Sequence, residues 1–187
     1  MQNLSANEIS TLRELLAKDA IRELALKYCR AADRHDAEAM RELYHDDALD
    51  DHGSYFSGLA MEFIDRLPEI QAPMTILHHN VTTHNIVLDP DKENDAEGEV
   101  YILAMHQAET DSGLIDFIIG GRYLDKYQRR DGVWKFYHRA ILADWCKLQS
   151  PSDITLDGGI IAGALVGKPG PSDPSYDFLS LFKPGKA

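Results

Sequence analysis

The sequence predicts an α+β fold in which a curled antiparallel sheet wraps around N-terminal helices. Apolar residues recur at helical spacing through roughly the first 44 positions and again at about 59–67. Four long runs rich in Val, Ile, Tyr, Phe and Thr then fill residues 75–148, separated by turn-forming segments. Helices come first and strands follow, rather than alternating, so the strands pair with their sequence neighbours as a meander.

Ser5 followed by Glu8 is a capping box, opening a helix with Ile9, Leu12, Leu15 and Leu16 as its apolar residues. Lys18-Asp19 reads as a kink or restart. Beyond it Ile21, Leu24, Ala25, Tyr28 and Ala32 form one apolar stripe, with Asp33 about a turn and a half past Tyr28 and near the same face. Asp36 can cap a short third helix carrying Met40, Leu43 and Tyr44, and His45-Asp46-Asp47-Ala48 is its exit. Leu49–Phe56, interrupted by Gly53 and followed by Gly58, reads as a bent strand or hairpin, with a helix next at about Leu59–Leu67. Pro68 and Pro73 bracket the following connection.

The four strand runs are Thr75–Asp89, Gly98–Glu109, Leu114–Arg129 and Val133–Leu148. Pro90–Asp95, Thr110–Gly113 and Arg130–Gly132 are the turns between them. Gly120-Gly121, inside a strand run, allows close packing or a bend. Residues 1–148 therefore form one domain. Residues 149–187 are a C-terminal extension rich in Pro, Gly, Ser and Asp that still carries Ile160–Val166 and Tyr176–Phe182. So many large apolar side chains are expected to dock on the chain's own sheet or on a neighbouring subunit.

Composition narrows the function. With 31 acidic against 19 basic residues and a net charge of -12, nucleic acid and anionic membranes are disfavoured partners; a small neutral or cationic molecule, or a second copy of the chain, is preferred. Met1–Ser10 is polar and shows no signal-peptide pattern. No apolar run approaches the ~18 residues of a membrane span, so a cytoplasmic protein is expected. Cys29 and Cys146 lack metal or disulfide spacing and read as reduced, packed thiols. Asp50-Asp51-His52 and His78-His79 lack the spacing of a specific metal site, and no Gly-rich phosphate loop follows a strand, so no metal or other cofactor is expected.

The run Asp19–Asp33, Asp46-Asp47-Ala48, the stretch around His79 and Tyr123–Phe136 resemble the SnoaL-like branch of the nuclear transport factor 2-like superfamily. That branch contains scytalone dehydratase, bile-acid 7α-dehydratase and hexachlorocyclohexane dehydrochlorinase. The resemblance covers about residues 8–148 and implies a cone-shaped curved sheet around the helices. It also implies that His79 on the first long strand pairs with Asp33, while His78, Asn80 and His84 are neighbours that alternation alone does not exclude. Such a carboxylate fixes the imidazole tautomer and stabilises imidazolium, leaving the other nitrogen to take a proton from carbon.

By the same resemblance Tyr28 would donate a hydrogen bond to developing negative charge and Arg139 would receive a leaving anion, or else pair with Asp144 or another subunit. His106, Tyr55 and Thr83 would line the substrate cavity. The implied activity is a cofactor-independent lyase, a dehydratase or related β-eliminating enzyme, acting on a small hydrophobic cyclic or aromatic substrate as a homodimer or homotrimer. The alternatives are an isomerase of the ketosteroid type, a carbon–carbon lyase releasing a small aldehyde, and a non-catalytic binding module or subunit resembling the small subunit of ring-hydroxylating dioxygenases.

Overall fold

The computed structural model describes residues 4–151, 156 and 158–186. One 28-residue helix, α1 (Ala6–Asp33), opens the chain. Its capping box forms as expected: the Ser5 amide donates to Glu8 Oε2 at 2.7 Å and the Glu8 amide to Ser5 Oγ at 3.3 Å. The helix runs unbroken through Lys18-Asp19, because neither residue breaks a helix and Ala17 and Ile21 on either side are already buried. Before that point Ile9, Leu12, Leu15 and Leu16 stay exposed, so only the second half of α1 supplies core residues.

A short α2 (Ala37–Arg41) is capped by Asp36, whose carboxylate accepts from the Ala39 amide at 2.9 Å. Strand β1 (Tyr44–Asp51) begins earlier than the sequence predicts. Tyr44 belongs to it, pairing with Phe136 instead of ending a helix. After β2 (Ser57–Leu59), helix α3 (Ala60–Gln71) continues through Pro68, whose ring faces solvent as the helix makes its last turn. The four long strands follow, β3 (Met74–Leu88), β4 (Asp95–Thr110), β5 (Gly113–Arg130) and β6 (Val133–Gln149), within a few residues of the predicted runs. Asp131 and Gly132, both with positive φ, make the tight β5–β6 turn.

The six strands form one open sheet in the order β2-β1-β6-β5-β4-β3. It is mixed rather than wholly antiparallel, because β1 runs parallel to β6. The sheet curves over α1 and α3 without closing, leaving β3 as one edge. Ile21, Tyr28, Tyr44, Phe63, Ile64, Val100, Tyr123, Tyr127 and Phe136 fill the space between. Past the strands the chain makes a 3₁₀ turn at Gly159–Ile161 and a short α4 (Pro174–Phe178). The side chain of Ile160 lies outside the described residues. Leu165, Phe178 and Leu181 are exposed, so the extension's apolar residues do not dock on this chain as a group; its polar residues do. No helix among the described residues is long and apolar enough to cross a membrane.

Candidate active site

Helix α1 ends against the start of β3, and this junction brings Asp33 to His79. His79 Nδ1 lies 2.7 Å from Asp33 Oδ1, and the His79 backbone amide also faces both carboxylate oxygens at 3.1 Å. The His79 and Asp33 side chains are 10% and 16% exposed. Three close approaches fix the carboxylate against one imidazole edge and leave Nε2 as the nitrogen turned away from it. A second imidazole, His106, stands perpendicular to the first with ring centroids 5.2 Å apart, and stacks on Phe117 at 4.6 Å. Burial, then the neighbouring His79, pulls the His106 pKa down to about 4, so this ring is neutral at pH 7. Its Nδ1 is buried without a hydrogen-bond partner among the described residues.

The ladders show what these imidazoles face. His79 pairs with Ala104 and His106 with Phe117; Phe117 pairs with Leu148, Ile119 with Cys146, Gly121 with Ala143 and Tyr123 with Ile141. Cross-strand partners share a face, so these residues make one apolar strip on the concave side. Phe117, Ile119 and Ile141 are only partly buried, and Leu148 is 66% exposed, so the strip is not filled by the protein's own side chains. Behind the pair, between α1 and the β3 edge, lies a hollow of about 440 Å³ bordered by Cys29, Arg30, Asp33, His78, His79 and Asp173.

Tyr28 and Arg139 belong to a neighbouring cluster. Arg139 is fully buried and bonded through Nε and Nη2 to the two oxygens of Asp125, each at 2.7 Å. The rings of Tyr28, Tyr123 and Phe136 each lie 4.1 Å from its guanidinium carbon. Its partner is thus Asp125 and not Asp144, which pairs with Arg122 on the outer face. A guanidinium neutralised in this way and closed off from solvent is not presented as a free cation to a departing anion. Burial and then the Asp50 charge push the Tyr28 phenol well above its ordinary pKa, only partly offset by Arg139, so Tyr28 remains a hydrogen-bond donor. Asp125 also accepts from Tyr127, which meets His84, and Asp50 accepts from Tyr44, so His84 faces a tyrosine rather than Asp33.

Three sequence expectations fail, those for Thr83, Tyr55 and the packing of Cys146. A bulge between Val81 and Thr83 reverses the strand's phase, so Thr83 points to solvent, away from the face of His79 and Val81. Tyr55 sits in the β1–β2 turn and is 62% exposed, outside the cavity. Cys146 is exposed, whereas Cys29 is buried. Sequence reasoning missed Phe117 and Asp125. Phe117 becomes legible once the β4–β5 turn sets its pairing with His106, but Asp125 does not. The β5–β6 turn register would place His138 opposite Asp125, and only a bulge between Lys126 and Tyr127 brings Arg139 there. Among the described residues no three His, Cys, Asp or Glu side chains are grouped to hold a metal ion.

Several solved structures share this fold. LinA is 21% identical over 78% of this chain and 98% of its own, with a TM-score of 0.70. The LinA-type3 hexachlorocyclohexane dehydrochlorinase from Novosphingobium barchaimii is 20% identical over 78% and 98%, with a TM-score of 0.66. A protein from Novosphingobium aromaticivorans provisionally named a scytalone dehydratase is 22% identical over 76% and 93%, with a TM-score of 0.65. No curated protein matches the chain. Residues 13–140, from the first third of α1 to the middle of β6, match the SnoaL-like domain, and the chain belongs to that family, with its nuclear transport factor 2-like α+β fold.

Proposed function

We propose that the protein is a cofactor-independent lyase that takes a proton from carbon with His79 and expels a leaving group from the adjacent carbon. The observation that carries this reading is the 2.7 Å contact between His79 Nδ1 and Asp33 beside an unfilled apolar strip. A structural or simple binding subunit has no need of such a pair. The dehydrochlorinase and dehydratase neighbours support the same reaction class.

In this reading His79 Nε2 accepts the proton and Asp33 stabilises the resulting imidazolium. The C–H electron pair becomes the new double bond as the leaving group departs with its own bonding pair. His106, neutral and perpendicular to His79 across 5.2 Å, is the second imidazole at the mouth of the strip and hydrogen-bonds the substrate oxygen or leaving group. Tyr28 donates to developing negative charge, and Arg139 acts through Tyr28 by holding its ring, a positioning role. Tyr28 lies five residues before Asp33 on α1, about 8 Å along the axis. A substrate touching both ends therefore needs about two fused rings, and the strip from Phe117 to Tyr123 suits a hydrophobic one.

The test is turnover of a panel of cyclic β-hydroxyketones and β-haloketones, with loss of water or halide followed directly. His79→Gln and Asp33→Asn should keep the fold and lose about 10²–10⁴-fold in kcat; full activity in both would refute the assignment. We also propose a homo-oligomer, because Tyr101, Leu103 and Leu124 leave apolar surface exposed on the convex side around Arg122.

A further inference from the structure

The C-terminal extension lies beyond the part of the chain that matches the family, yet it is tied closely to the corner that carries Asp33. The Arg34 guanidinium ion-pairs with Asp173 and donates to the Lys168 carbonyl at 2.9 Å, while the Gly170 amide donates to the Arg34 carbonyl at 2.8 Å. Asp173, 4% exposed, also accepts from the Lys168 and Ser175 amides at 2.9 Å each. Burial raises its pKa, but these hydrogen bonds and Arg34 outweigh burial and hold its carboxyl below the usual range. Arg30, one turn back on α1, packs over the rings of Tyr176 and Phe182 at 5.0 and 4.7 Å. The Gly185 amide donates to Asp36 Oδ2 at 2.9 Å, at a place where an added Cβ would strike the backbone of Ala39.

These attachments flank Asp33 on both sides, and Asp173 and Ser175 border the hollow behind Asp33 and His79. We infer that residues 168–185 are a clamp, latched by Arg34–Asp173, that walls the hollow on the β3-edge side of the Asp33–His79 pair, narrows access to it and holds the end of α1 in place. The concave strip is then the way in for substrate. A carboxylate held in one place beside the imidazole stabilises imidazolium without reorganising, so the clamp is a positioning segment for the proposed reaction. Its meaning rests on the proposed chemistry; its test does not.

Cys29 borders the same hollow, is 7% exposed, and has a thiol pKa pushed up to about 11 chiefly by burial, whereas Cys146 is exposed. Labelling with a small maleimide, read separately at the two thiols by mass spectrometry, should modify Cys146 quickly and Cys29 slowly in the unaltered chain. Asp173→Ala should speed Cys29 labelling at least about 10-fold at an unchanged Cys146 rate. Asp173→Asn, which keeps the shape but loses the charge, should give an intermediate value.

Equal protection of Cys29 in all three proteins overturns the clamp. Hydrogen exchange on the unaltered chain gives a reading that needs no variant: the Gly170, Ser175 and Gly185 amides should be protected, and exchange at the free-chain rate would overturn the proposal. If His79→Gln keeps activity while Cys29 stays shielded, the chemistry fails and the clamp stands. If Cys29 is open while His79→Gln is inactive, the reverse holds.

Discussion

At the residue scale, the site depends on two imidazoles in different settings, one held by a carboxylate and the other buried without one. His106 titrates near 4 when folded and near 6.5 when unfolded. Between those values the unfolded chain binds more protons, so stability rises with pH across the window and is lost as pH falls from about 6.5 to 4, by up to about 3 kcal/mol. Denaturant melts of the unaltered protein and His106→Gln should show this slope reduced in the variant; identical slopes would remove His106 from the buried site. Arg139 and Asp125 give a second expectation. Asp125→Ala leaves a guanidinium with no exposure and no counter-charge, at a cost of about 3–5 kcal/mol by chemical denaturation. Replacing both members by apolar residues of matching volume should cost much less.

At the element scale, what could be read from the sequence and what could not divide along the bulges. The four long strands, their turns, the Ser5 cap and the Asp33–His79 junction followed from period, turn chemistry and family resemblance, because each signal is local or lies within a matched motif. Thr83 and the Arg139 partner did not, because a single inserted residue in β3 or β6 exchanges the two faces of a strand and leaves no mark in composition. The continuity of α1 through Lys18-Asp19 and the passage of α3 through Pro68 were decided by burial on either side, which overrides local propensity. Gly121 sits at such an irregularity, where an added Cβ would lie 2.4 Å from the Leu142 carbonyl oxygen. Gly121→Ala should lower stability by about 1–3 kcal/mol through overpacking, measured by thermal or denaturant melts. Gly132→Ala should cost about 1 kcal/mol or more through its positive φ alone.

At the scale of the whole molecule, a core built from the second half of α1 leaves two apolar surfaces uncovered: the first half of α1 with Leu12, Leu15 and Leu16, and the convex face with Tyr101, Leu103 and Leu124. The proposed assembly predicts that sedimentation velocity at micromolar concentration finds a dimer or trimer, and that Leu103→Glu with Leu124→Lys shifts it towards monomer without unfolding the chain. A monomer in the unaltered protein would contradict it. The proposed clamp behind the pair and the unfilled apolar strip in front of it would hold the base in place while leaving it open to a carbon acid. The most direct measurement of that base is deuterium wash-in from D₂O into the carbon adjacent to the carbonyl of a bicyclic ketone that has no leaving group, followed by proton NMR. Exchange is predicted in the unaltered protein and its loss in His79→Gln; exchange that persists undiminished without the imidazole would contradict the account.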